Sequence, residues 1–206
     1  MQIDEHITGR EPQQERGRQR VQTILDSAAA IVAQDGLAAL SMQRLAKHAK
    51  TSIGSMYHFF PDRHAVIKAL ADRHTESVEA LIRDMALASD DEWRRLSAEG
   101  VIQRLFSPYA QYLREHTDYL PVMREMNLPD EKSSFLALIA RVLQLRRPET
   151  AEAEILQQTR LLQSLVAGTL HHIFKTAPQS VAFTLAELPG VLSLYLAGKE
   201  GKVGAR

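Results

Sequence analysis

The side chains of this chain best suited to chemistry are hydrogen-bond donors gathered in one short stretch: Ser52, Ser55, Tyr57 and His58, with Gly54 among them. Small, polar and donor-bearing residues do not build a buried core. They suit close contact with a second surface, and Tyr57 and His58 can donate to phosphate oxygens. A glycine inside a helix costs about 1 kcal/mol relative to alanine, and close approach of another surface is a good reason to accept that cost. Other chemistries find less. None of the eight histidines shares a helix face with another at i, i+4 spacing, and His171 and His172 are adjacent, so they point about 100° apart on a helix. There is no cysteine, which removes disulfides, thiolate metal sites and cysteine nucleophiles. No Ser–His–Asp order, carboxylate pair or phosphate-cradling glycine loop stands out. The reading therefore assigns no catalytic residue, no metal and no cofactor, and an enzyme has no positive support.

The stretch from Ser41 to Arg63 must position those donors. Ser41 is a good N-cap for a short helix whose Met42, Leu45, Ala46 and Ala49 recur at helical spacing. Ala49, Lys50 and Thr51 make a turn. Ser52 caps a second helix carrying Ile53, Met56, Phe59 and Phe60, with Met56 and Phe60 read as core. Pro61 stops it and Asp62 caps the next. This is helix-turn-helix grammar, and a second helix of this composition fits a DNA major groove. Arg63 stands near a helix start, where the macrodipole disfavours a cation. That local cost points to a partner for the charge, with phosphate the natural candidate.

The pattern S-x-x-x-L-A-x-x-A-x-x-S-x-G-S-x-Y-x-x-F-P-D-R from Ser41 to Arg63 resembles the DNA-binding signature of the TetR family of bacterial transcription regulators. Lys50 stands where that signature has glycine, Thr51 where it has valine, Phe59 where it often has histidine, and Arg63 where it has lysine. The resemblance implies that Gln43, Ile53 and Ser55 reach base edges, while Ser41, Thr51, Ser52, Tyr57, His58 and Arg63 hold phosphates. Gln43 can read adenine with two hydrogen bonds, and Ile53 can touch a thymine methyl. For Ser41 and Ser52 simple capping competes with phosphate binding, and one hydroxyl can do both.

Formal net charge is zero over 206 residues, so overall charge names no polyanionic partner. Between Arg10 and His74, however, ten cations face six acids, an excess of four, which fits nucleic acid. Residues 1–15 read as a mobile polar arm, and 16–62 as a three-helix DNA-binding head whose first helix runs from about Arg16 to Gln34, capped by Gly36. Residues 63–198 read as an all-α body and 199–206 as a tail. A long helix from Arg63 into the eighties, with His74 on its apolar repeat, is the expected lever between head and body. Further helices are expected over Leu96–His116 (with Pro108 a kink or break), Thr117–Met126, Asp130–Arg146, Pro148–Lys175 and Ser180–Ala197 (bent at Pro189). No apolar run reads as long enough to span a membrane and the N-terminus lacks a secretory signal, so a cytoplasmic protein is expected.

For the body, the resemblance implies a small-molecule pocket, for which Phe106, Tyr109, Tyr112, Tyr119, Met123, Met126, Phe135 and His171 are candidates. The same side chains at helical spacing also serve as plain core. A neutral or weakly polar, partly aromatic effector fits them. The resemblance also implies dimerisation through the last two helices, with Leu161, Leu165, Val181, Leu185, Leu188 and Leu192 as candidates, plain intrachain core being the alternative. The expected protein is all-α: a homodimeric regulator, more readily a repressor, that binds a palindromic operator and is released by a small-molecule effector. Its rivals are a DNA-binding protein of the same shape without such an effector, and a helical enzyme with an incidental helix-turn-helix.

Overall fold

A computed structural model describes residues 11–126 and 134–201. Most of the arm, Asn127–Ser133 with its Pro129 and the cap Asp130, and the end of the tail lie outside the described residues. The chain forms α1 (Glu11–Asp35), a 3₁₀ turn (Leu37–Ala39), α2 (Met42–His48), α3 (Ile53–Phe59), α4 (Arg63–Ala86), α5 (Asp90–Arg95), α6 (Ala98–Glu115), α7 (Tyr119–Met126), α8 (Ser134–Arg146), α9 (Glu152–Thr176), a second 3₁₀ turn (Pro178–Ser180) and α10 (Val181–Gly201). The described residues hold no strand, and the class is all-α.

Two compact units emerge: residues up to Arg73 with Pro121–Met126, and His74–Leu120 with the chain beyond Met126. The division falls inside α4 rather than at its start, where the sequence reading put it. Helix α1 also begins earlier than expected, at Glu11. Pro12 does not prevent this, because the first turn of a helix has no intrahelical use for its N–H.

In the first unit, α1 buries Ile24, Leu25, Ala28, Ile31 and Val32. Gly36, at φ 78°, ends the helix in the left-handed region that glycine adopts without strain. Leu45, Ala46 and Ala49 from α2, Met56 from α3, and Val66, Ile67 and Leu70 from α4 close the same core.

The second unit packs α6 against α10, α8 against α5 and α9, and α9 against α10. Helix α5 has no counterpart in the sequence reading, although Ser89 and Glu92 spell a capping box. The Ser89 hydroxyl accepts from the Glu92 N–H, and the Glu92 carboxylate accepts from the Ser89 N–H at 2.8 Å. That backbone hydrogen bond holds the Glu92 carboxyl below its ordinary pKa. The helix exists to bury Trp93. Arg146 then ties three elements together: it donates to the carbonyls of Trp93 and Leu96 and makes a two-pronged bond to Glu200 at 2.5 and 2.9 Å. Pro108 and Pro189 do not break α6 or α10. Each removes one hydrogen bond, and the buried faces around them hold the helices continuous.

The span Pro178–Gly201 is long and apolar enough to cross a membrane by length and composition, contrary to the sequence reading. Its composition has two sources. Leu185, Leu188, Leu192 and Leu196 are buried in the unit's core, while Phe183, Val191 and Leu194 are exposed.

His74, read from sequence as one more member of an apolar stripe, is instead a buried polar hub at 1% exposure. Its Nδ1 lies 2.7 Å from the Tyr112 hydroxyl and its Nε2 lies 3.0 Å from the Asp118 carboxylate, which is itself buried. Tyr119 and His116 pack edge-on against the ring. Breaking a buried pair by removing one partner costs about 3–5 kcal/mol. Asp118→Ala should therefore lower the thermal midpoint strongly, and Asp118→Asn, which keeps a hydrogen-bond acceptor for His74, should lower it less. Thermal melts followed by circular dichroism check this ordering.

Candidate nucleic-acid interface

The helix-turn-helix is held by three side-chain caps. The Ser41 hydroxyl accepts from the Arg44 N–H at 3.2 Å, the Ser52 hydroxyl from the Ser55 N–H at 3.1 Å, and the Asp62 carboxylate from the Ala65 N–H at 2.8 Å. A serine hydroxyl that accepts from a backbone N–H keeps its own proton to donate. Capping and phosphate binding are therefore compatible at Ser41 and Ser52, both of which are exposed.

The turn between α2 and α3 has a defined backbone. The Thr51 N–H donates to the Ala46 carbonyl at 3.0 Å and the Lys50 N–H donates to the Lys47 carbonyl at 3.3 Å. These are the two hydrogen bonds of a Schellman motif, which puts its first residue past the cap in the left-handed region. That residue is Lys50, at φ 50°, the one non-glycine with positive φ among the described residues.

Met56 is fully buried beneath α3 and Phe59 packs against the same core, while other α3 side chains reach the surface. Ile53 is 42% exposed and Tyr57 52%, unusual for an isoleucine and a tyrosine that meet no partner. Gln43, Gly54 and His58 are exposed, and Thr51 and Ser55 are half-buried. A Cβ built at Gly54 would meet nothing within 4 Å. No packing within the protein therefore calls for glycine there.

Arg63 departs from the sequence reading. Its Nε donates to the Leu40 carbonyl at 2.9 Å and its Nη2 donates to the Leu37 carbonyl at 2.8 Å. Two of its donors are thus engaged by the 3₁₀ turn that leads into α2. Nothing in a one-dimensional pattern marks those carbonyls as partners.

The body candidates divide. Phe106 is buried in the second unit's core, and Tyr109, Tyr119 and Phe135 pack against it. Tyr112 bonds His74, and the Tyr109 and Tyr119 hydroxyls lie 3.5 Å apart. Met123 and Met126 pack in the other unit's core, and His171 is exposed on α9. Of the six residues expected at a dimer interface, Leu185, Leu188 and Leu192 are buried in their own chain's core. Leu161 is exposed, and Leu165 and Val181 are half-buried. The outward apolar residues of the last two helices are instead Leu156, Leu161, Phe183, Val191 and Leu194, the last two 56% and 77% exposed. A helix apolar on every side hides from sequence which of its leucines face inward.

The fold and the outward face of α3 define a helix-turn-helix protein with a helical body. Comparison with known proteins agrees. The model of the bacterial regulatory proteins of the TetR family matches residues 24–70. The HTH-type transcriptional repressor KstR of Mycolicibacterium smegmatis is 32% identical over 96 residues, 46% of this chain and 45% of that protein, so the match spans less than half of that relative's length. A TetR-like transcriptional regulator from Rhodococcus sp. RHA1 superposes with a TM-score of 0.62 at 17% identity, over 90% of this chain and 96% of that one. The SmeT–triclosan complex does so with a TM-score of 0.56 at 17% identity, over 87% and 90%. Residues 24–70 thus match the DNA-binding region of the TetR family, and the chain as a whole shares the fold of TetR-like regulators.

Arg63→Ala should destabilise the first unit by about 2 kcal/mol, the scale of hydrogen bonds from a charged donor, and Arg63→Lys should recover little of it because an ammonium lacks the forked geometry. Tyr57→Phe should leave the thermal midpoint unchanged and weaken binding to all duplexes alike. Melting curves and DNA titrations on the three variants check both.

Proposed function

We propose that this protein is a sequence-specific DNA-binding transcriptional repressor that acts as a homodimer and leaves its operator when a small molecule binds the body. The observation that carries the reading is the outward face of α3. Ile53 and Tyr57 are exposed and Gly54 has open space at its Cβ position, and their neighbours Ser52, Ser55 and His58 are hydrogen-bond donors. Gln43, Ile53 and Ser55 would reach base edges, while Ser41, Thr51, Ser52, Tyr57 and His58 would hold phosphates. The DNA partner puts its site of action in the cytoplasm. A family of regulators also gives the enzyme alternative no support.

The dimer reading rests on the exposed apolar face of α9 and α10, where Leu156, Leu161, Phe183, Val191 and Leu194 lie on residues that no intrachain partner covers. A twofold dimer would set two recognition helices about one helical turn apart, ~34–36 Å. Effector control draws support from the triclosan complex of a protein with the same fold. An effector acts only through unequal affinity for two states, and α4, which continues unbroken from the first unit into the second, is the covalent route for such coupling.

Selection of tight binders from random duplex DNA should return a near-palindrome. Gly54→Ala should raise the thermal midpoint slightly, by removing a glycine from a helix, yet weaken binding to the selected duplex at least tenfold. If Gly54→Ala bound as well as wild type, α3 would not approach DNA closely. Leu194→Glu should convert the dimer to a monomer in sedimentation velocity and reduce operator affinity sharply, with the helical content unchanged.

A further inference from the structure

Lys50 breaks a local rule of the chain. It occupies the left-handed position of the Schellman turn, φ 50°, a conformation in which a side chain clashes with its own backbone and glycine does not. The turn's two hydrogen bonds, from Thr51 to Ala46 and from Lys50 to Lys47, fix that conformation, so the lysine cannot relax out of it without opening the motif. Strain retained at one position is a reason to ask what its side chain does.

Within the protein the side chain does nothing that offsets the strain. Lys50 is exposed, and among the described residues its ammonium has no hydrogen-bond or ion-pair partner. The contrast with its neighbours is informative. Arg44 spends its charge on Asp35, and Arg63 spends its charge on the Leu37 and Leu40 carbonyls. Lys50 keeps a full, uncommitted charge on a turn that leads directly into Thr51, Ser52 and the exposed end of α3. A compact, flexible ammonium there suits a phosphate as a point charge rather than a base edge.

We infer that Lys50 is a DNA-backbone contact, one phosphate per head, and that the strain at its backbone is retained for that contact. The inference rests on the DNA-binding reading of α3 and adds to it a residue that simple capping and packing do not account for. It makes stability and affinity move in opposite directions at one position.

Three variants separate the terms. Lys50→Gly removes both strain and charge, Lys50→Met removes the charge and keeps the strain, and Lys50→Arg keeps both. The thermal midpoint should rise by roughly 2–4 °C in Lys50→Gly and stay near wild type in the other two. On the selected duplex, Lys50→Gly and Lys50→Met should both lower the slope of log K against log salt by about 0.9 per head. For a dimer, their affinity deficit should then shrink about tenfold between about 50 and about 200 mM salt. Lys50→Arg should keep the wild-type slope. An unchanged slope in both charge-removing variants, with wild-type protein binding its selected duplex, would overturn the phosphate contact and leave the DNA-binding reading intact. A wild-type protein that selects no sequence would sink that reading itself. A flat thermal midpoint in Lys50→Gly would overturn the claim of retained strain.

Discussion

The arrangement of the DNA-facing helices depends on one clasp, the Arg63 guanidinium on the carbonyls of Leu37 and Leu40. Those carbonyls belong to the connection between α1 and α2, and Arg63 is the first residue of α4. One side chain therefore closes a loop around α2 and α3 from the helix before them to the helix after them. Hydrophobic burial of Leu45, Met56 and Ile67 supplies attraction without direction. The forked hydrogen bonds supply the register, because a planar guanidinium accepts few alternative poses. Asp62, capping the same helix through the Ala65 N–H, places an acid where the macrodipole favours it and offsets the cation that follows.

A similar division of labour recurs in the body. The core there is a broad apolar cluster, and its geometry is pinned by two polar centres, one half-buried and one buried. Arg146 reaches α5, the residue after it and the end of α10, and His74 reaches α6 through Tyr112 and the start of α7 through Asp118. Each centre satisfies donors and acceptors that would otherwise be costly inside protein. Arg147 is less complete: its Nη2 bonds Gln158, which bonds Glu154, but its Nε has no partner among the described residues. Charge from Glu154 reaches it only through an amide.

Much of this was legible in the sequence, and the boundary of legibility is physical. Local rules that involve neighbours in the chain were readable: the Ser41 and Ser52 caps, Gly36 as a helix stop, and Met56 inward with Tyr57 outward. The capping box at Ser89 was equally local, and α5 was readable from it. What could not be read depends on distant partners. Arg63 looked like a group in search of phosphate because the dipole cost is local and the compensating carbonyls are not. His74 sat at an apolar register and turned out to face a hydroxyl and a carboxylate brought from α6 and the following turn. In α10, leucines occur on so many sides that periodicity loses its power, and Leu185, Leu188 and Leu192 went to the core while Val191 and Leu194 went to the surface. Most pocket candidates divide between two apolar cores for a related reason. Aromatic and methionine content marks apolar surroundings but not which core they belong to.

Where a folded chain violates its own local rules, and nothing inside the molecule compensates, the violation points outward. Glycine inside a short helix, a lysine in the left-handed region, an isoleucine and a tyrosine left in water each cost stability. Scattered over a surface, they would be the ordinary residue of imperfect selection. Here Lys50, Ile53, Gly54 and Tyr57 fall within a single turn and helix, directly over the buried Met56 that anchors them. The violations that have internal compensation behave differently: Arg63 near a helix start is met by carbonyls, and Pro108 and Pro189 are held by buried faces. This separation, between costs offset within the chain and costs left open, is what the proposed interface rests on. The same caps, Schellman turn and clasp that satisfy the backbone also hold the uncompensated residues in one arrangement, and a surface ordered in advance costs less to bind.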